Sequence, residues 1–127
     1  MRITHTSIFV SDQDEALKFY TEILGFVKKQ DLPIGKFRWL TVVSSDDVDG
    51  PELLLEPNDN PVSQTYQKGI FAQNIPATLF SVRDARVEYE RLKSLGVVFI
   101  TPPTEMNDVI IAVFNDTCGN LIQIVQT

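Results

Sequence analysis

The sequence predicts an α+β fold made of two βαβββ repeats, each a sheet with one helix, and repeat symmetry would let the pair close around a cleft. Two matching stretches, each leading into a helix and three strands, carry this prediction. Ile3 to Val10, ITHTSIFV, is a β-branched run that leads to Asp12 and a helical pattern ending at Gly25. Ile75 to Val82, IPATLFSV, leads in the same way to Asp84 and a helical pattern ending at Gly96. Three strand-like runs separated by turn residues come after each helix. Self-similarity on this scale in a chain of 127 residues signals two copies of one supersecondary unit. The expected organisation is a single domain over 1–127, with a first copy at 1–57, a linker with a short helix at 58–74, and a second copy at 75–127.

Each element has a local reason. Side chains alternate along a strand, so His5, Ser7 and Phe9 share one face and Thr6, Ile8 and Val10 the other. Asp12 is a good N-cap, with Glu15 as its capping-box partner. Ala16, Leu17, Tyr20, Ile23 and Leu24 recur at helical spacing, and Gly25 supplies the C′ position. Phe26 to Leu32 reads as a strand and Pro33-Ile34-Gly35 as the turn after it. Phe37 to Ser44 is the next strand, with Phe37, Trp39, Thr41 and Val43 on one face. In Pro51 to Glu56, Glu52, Leu54 and Glu56 share a face. Asn60-Pro61 reads as the cap and first residue of the linker helix. In the second copy, Ala77, Leu79 and Ser81 share a face. Asp84 caps a helix with Val87, Leu92 and Leu95 as its apolar stripe, and Thr101-Pro102-Pro103 breaks the strand after it. Val109 to Phe114 and Leu121 to Gln126 complete the copy.

Composition excludes several classes. A net charge of −6 without a Lys/Arg cluster argues against nucleic acid or an anionic membrane as partner. No apolar run approaches the ~20 residues of a membrane span. The N-terminal residues turn acidic before a signal-type apolar region forms, so a cytoplasmic location is expected. Cys118, the single cysteine, has no intramolecular disulfide partner. The chain has one histidine, His5, which leaves no second imidazole for a nucleophilic triad or for activating Cys118. Dinucleotide, P-loop and G-x-S-x-G motifs are absent.

Four stretches together resemble the vicinal oxygen chelate superfamily of glyoxalase I, extradiol dioxygenases, and fosfomycin and bleomycin resistance proteins. They are ITHTSIFVSDQDEALKFYTEILGF, PELLLEP, FSVRDARVEYERLKSLGV and FNDTCGNLIQIVQ. The last carries a D-x-x-G-N-x-[IL]-[EQ]-[IL] closing signature. The resemblance covers essentially the whole chain and is specific for the fold, which hosts several chemistries. It implies that each βαβββ copy is a curved mixed sheet with a helix and that the copies pair into a cleft, and it implies a homodimer and a small-molecule ligand. It also implies a divalent metal (Ni, Zn, Mn or Fe) held by one residue from the first and one from the last strand of each copy. Carried onto this chain, those positions are His5, Glu56, Ala77 and Gln123. Ala77 has no ligand atom, so three ligands remain, with Glu56 doubling as the catalytic base.

The plainer readings stand beside these. His5 is an ordinary histidine making one hydrogen bond, Glu56 an exposed strand-end carboxylate, and Glu52 a rival carboxylate on the same face. Gln123 is a hydrogen-bonding cleft residue. Arg38 and Trp39 offer contacts for an anionic or flat ligand, and Trp39 is otherwise core or cavity wall. Three functions are then open: a metal-dependent lyase or isomerase acting on a vicinal-oxygen substrate, a metal-free binding or resistance-type protein whose cleft is lined by Phe9, Phe37, Trp39 and Ala77, or an interaction module with a decayed site. His5 and Glu56 favour the first, and Ala77 favours the others.

Overall fold

A computed structural model describes all residues, Met1 to Thr127. It contains two four-stranded mixed sheets, each with a helix, in two compact units, Met1–Thr65 and Tyr66–Thr127. In the first unit β1 (His5–Val10), α1 (Gln13–Lys18), β2 (Val27–Ile34), β3 (Phe37–Val43) and β4 (Glu52–Pro57) succeed one another along the chain. The sheet runs β1-β4-β3-β2, with β1 parallel to β4 and the other pairs antiparallel. Helix α2 (Pro61–Ala72) straddles the division between the units. The second unit repeats the topology with β5 (Thr78–Ser81), α3 (Ala85–Ser94), β6 (Phe99–Met106), β7 (Val109–Asn115) and β8 (Leu121–Gln126), in the order β5-β8-β7-β6.

The caps anticipated from sequence form. The Asp12 carboxylate accepts from the Glu15 N–H at 3.0 Å, and Asp84 accepts from the Arg86 and Val87 N–H groups, each at 3.0 Å. After α1 the chain widens over Phe19–Ile23, where the Leu24 N–H bonds the Phe19 carbonyl. Gly25, at φ +89°, then lets Phe26 donate back to Tyr20, which satisfies carbonyls the helix end would leave orphaned.

Period-two alternation divides the first sheet. Ile8, Val10, Leu40, Val42, Leu53 and Leu55 are buried together with Ala16, Phe19 and Tyr20 of the helical segment, and form its core. Gln13 fastens the helix to the sheet. Its amide donates to the Arg38 and Leu55 carbonyls and accepts from the Arg38 N–H. Arg38 binds Asp31 through a two-pronged contact of 2.9 Å each and also reaches Asp14. It is therefore occupied within the chain, contrary to its reading as an anion-binding residue.

That fork makes stability acid-sensitive. The hydrogen bond from Arg38 holds the Asp31 carboxyl below its ordinary 3.8, with burial opposing and the Arg38 and Lys28 charges assisting. A carboxylate depressed in the folded state stabilises above its unfolded-state value and loses that contribution as pH falls through the folded-state value. Denaturant unfolding below about pH 4 is therefore expected to show a steeper acid-side loss for the native chain than for Asp31→Asn. Equal slopes would contradict this role.

Two expected boundaries shift, and one apolar stripe turns. Pro33 lies inside β2 opposite Arg38, and the turn falls at Gly35-Lys36. Pro102 and Pro103 likewise lie within β6, flanked by register shifts, instead of breaking the strand. β2 and β6 are both edge strands, where a missing N–H interrupts no ladder on the open side. On α3 the buried residues are Ala85 and Leu92, while Val87 and Leu95 are exposed. Tyr89 turns inward instead, edge-on to Phe99 at 4.7 Å.

The closing D-x-x-G-N signature is a fully satisfied turn. Buried Asp116 accepts from the Cys118 N–H, the Asn120 N–H and the Asn120 side chain. Gln67 of α2 donates to the Cys118 carbonyl and to Asn120 Oδ1, each at 3.1 Å. These bonds bind turn and helix into one unit and give the signature residues a structural task.

Candidate functional site

The chemistry-bearing side chains of the first unit lie on the sheet face away from the α1 core. His5 opens β1 on this face, registered directly against Glu52 of the parallel strand β4. Its Nε2 lies 3.3 Å from Glu52 Oε2, and its Nδ1 is 3.0 Å from Thr4 Oγ1. The other oxygen, Glu52 Oε1, accepts from Thr41 Oγ1 at 2.7 Å and from Gln30 Nε2 at 3.0 Å. Gln30 Oε1 in turn accepts from the Trp39 indole N–H at 3.0 Å. The Trp39 ring centroid is 5.8 Å from that of His5, with the planes tilted by 55°.

A bulge places Gln30 in this group. Lys28 pairs with Val42 and Gln30 with Thr41, so Lys29 is the extra residue. Without it, Gln30 would share the face of Lys28 and Val42, the helix side. Leu32 and Ile34 come next at alternate positions beside Trp39 and Phe37, and both are more than half exposed. Phe9, Phe37 and Trp39 are half-buried. The face therefore presents aromatic and aliphatic surface next to a chain of hydrogen bonds whose members are paired with one another.

Glu52 is the carboxylate beside His5, and Glu56 is not. Glu56 is registered against Phe9, four residues further along β4, or roughly 13 Å at the usual strand rise. It shares the His5 face and makes no side-chain hydrogen bond or ion pair within the chain. Gln123 lies in the second unit between Leu79 of β5 and Val113 of β7, half-buried among apolar neighbours. Ala77 precedes β5, and its N–H donates to the Leu121 carbonyl. Nowhere does the chain bring three His, Cys, Asp or Glu side chains together around a point that could hold a metal ion. In the first unit the residues present fit a metal poorly: His5 Nε2 faces Glu52, and Glu56 lies far along the strand.

Sequence reasoning named His5, Phe9, Phe37 and Trp39 for this face and weighed Glu52 only as a rival to Glu56. It missed Gln30 and Thr41. Thr41 was legible as a face-mate of Trp39. Gln30 was not, because its orientation depends on the bulge.

The comparisons with known proteins agree with this architecture. The family model of the Glyoxalase/Bleomycin resistance protein/Dioxygenase superfamily matches residues 2–124. The chain belongs to that superfamily. The uncharacterized protein YurT of Bacillus subtilis (strain 168) is 65% identical over 126 residues, covering 99% of each chain. A lactoylglutathione lyase of Neisseria meningitidis serogroup A is 30% identical over 130 residues, covering 99% of this chain and 91% of that one. The crystal structure of TnmS3, an antibiotic binding protein from Streptomyces sp. CB03234, superposes with a TM-score of 0.79 at 27% identity, covering 99% of this chain and 95% of that one.

Proposed function

We propose that the protein binds a flat aromatic small molecule, without a metal, against the face formed by His5, Phe9, Phe37 and Trp39. One observation carries this reading: the polar groups beside Trp39 are consumed by each other. Both nitrogens of His5, both oxygens of Glu52 and both ends of the Gln30 amide have partners. A ligand meeting this surface gains stacking and apolar contact more than hydrogen bonds. The likeness to an antibiotic binding protein supports the same class of activity.

The competing proposal is a metal-dependent lyase or isomerase, which the 30% identity to a lactoylglutathione lyase favours. It needs His5 to leave Glu52, or to share an ion with it, and to recruit Glu56 or Gln123. Quenching of Trp39, the only tryptophan, separates the two. Chelator-stripped protein is titrated with neutral tricyclic aromatics such as acridone, then with Ni, Zn, Mn and Fe(II). Saturable quenching by the aromatic compound in chelator, unaffected by metal, is expected. Tight one-site metal binding abolished by His5→Ala, with no aromatic binding, would instead establish a metal centre at His5 and overturn the metal-free reading.

A further inference from the structure

We infer that Glu52 and Gln30 are positioning residues that hold the Trp39 ring in its binding orientation through a hydrogen-bond relay of fixed polarity. This rests on the reading of the face as an aromatic-ligand site.

The polarity comes from donors and acceptors. An ionised carboxylate accepts only, and an indole N–H donates only. Between them stands one amide, which does both. Glu52 Oε1 requires the Gln30 NH2 to point toward it, and the Trp39 N–H requires the Gln30 carbonyl to point the other way. Each end demands the same amide orientation, so the relay has a single satisfying arrangement. Thr41 reinforces it from both sides. Its hydroxyl donates to Glu52 Oε1, leaving a lone pair to accept the backbone N–H of Gln30 at 3.1 Å. Gln30 is thereby held at backbone and side chain. Glu52 is pinned by three side chains, counting His5, and its side chain is only 13% exposed. An indole tied at its nitrogen and flanked by an imidazole loses little further freedom when a ligand stacks on it. Ordering a loose side chain would otherwise subtract from affinity.

The chemistry separates conservative from disruptive changes at one position. In Glu52→Gln, the amide oxygen can take the place of Oε1 and accept from Thr41 and Gln30. Its NH2 then faces His5 Nε2, which accepts in the tautomer that donates from Nδ1 to Thr4. The relay survives. Glu52→Met and Gln30→Met keep similar bulk and remove it.

The test reads the Trp39 band in near-ultraviolet circular dichroism, which the single tryptophan makes unambiguous, together with acridone affinity on the full chain. Gln30→Met and Glu52→Met are each expected to lose most of the band and to weaken acridone binding about tenfold, the scale of ordering a side chain on binding. The double variant should lose no more than either single one, because the relay acts in series. Glu52→Gln should retain both band and affinity. The inference is overturned if Gln30→Met keeps the native band, or if Glu52→Gln falls as far as Glu52→Met. Loss and rescue of the band as expected, with no acridone binding by any form, would support the relay and sink the aromatic-ligand reading alone.

Discussion

Gly119→Ala is expected to destabilise the second unit by roughly 3–4 kcal/mol. Gly119 sits at φ +100°, which a side chain adopts only under strain. An added Cβ would also stand 2.7 Å from Gln67 Nε2 and 3.0 Å from its Cδ. Gln67 is 3% exposed and cannot move aside without giving up its bonds to the Cys118 carbonyl and Asn120. Gly25→Ala is the control. Its φ of +89° imposes comparable backbone strain, but nothing lies within 4 Å of the added carbon. Denaturant unfolding should therefore show the larger loss at Gly119 by about 2 kcal/mol, the worth of two hydrogen bonds. Equal losses would mean that the Gln67 contact contributes nothing.

Trp39→Ala is expected to weaken binding of an aromatic ligand about a hundredfold, the scale of a central aromatic anchor. The ring is half-buried on the opposite side of the sheet from the α1 core, so the fold should survive its removal better than its ligand does. Calorimetry is the readout, since the variant has no tryptophan left to quench. Affinity unchanged in a folded variant would move the site away from this face.

The elements that could be read from sequence are those written in local chemistry. Asp12 and Asp84 cap, Gly25 and Gly96 stop helices, and alternation separates Ile8 and Val10 from His5 and Phe9. These need no knowledge of the partner strand. The site was less legible because its composition depends on pairing. Glu52 and Glu56 lie two alternations apart on one face, so period alone cannot choose between them. The parallel register of β1 on β4 chooses, and it puts Glu52 on the His5 rung. Gln30 was further out of reach, since a single inserted residue, Lys29, reverses the face of everything after it in β2. The prolines misled for a related reason. Pro33, Pro102 and Pro103 would end a strand that needs their missing N–H, and an edge strand does not need it. Arg38 looked like an anion site because nothing local revealed Asp31 and Asp14 gathered around it.

On the proposed function, the His5–Trp39 face takes an aromatic ligand with no metal present. The most direct measurement is calorimetric titration of chelator-stripped protein with acridone, paired with the same titration on Trp39→Ala. One-site binding by the stripped native chain, weakened about a hundredfold in the variant and undisturbed by added divalent metal, is the predicted result. Binding that appears only after Ni, Zn, Mn or Fe(II) is restored, and that His5→Ala abolishes, would contradict it.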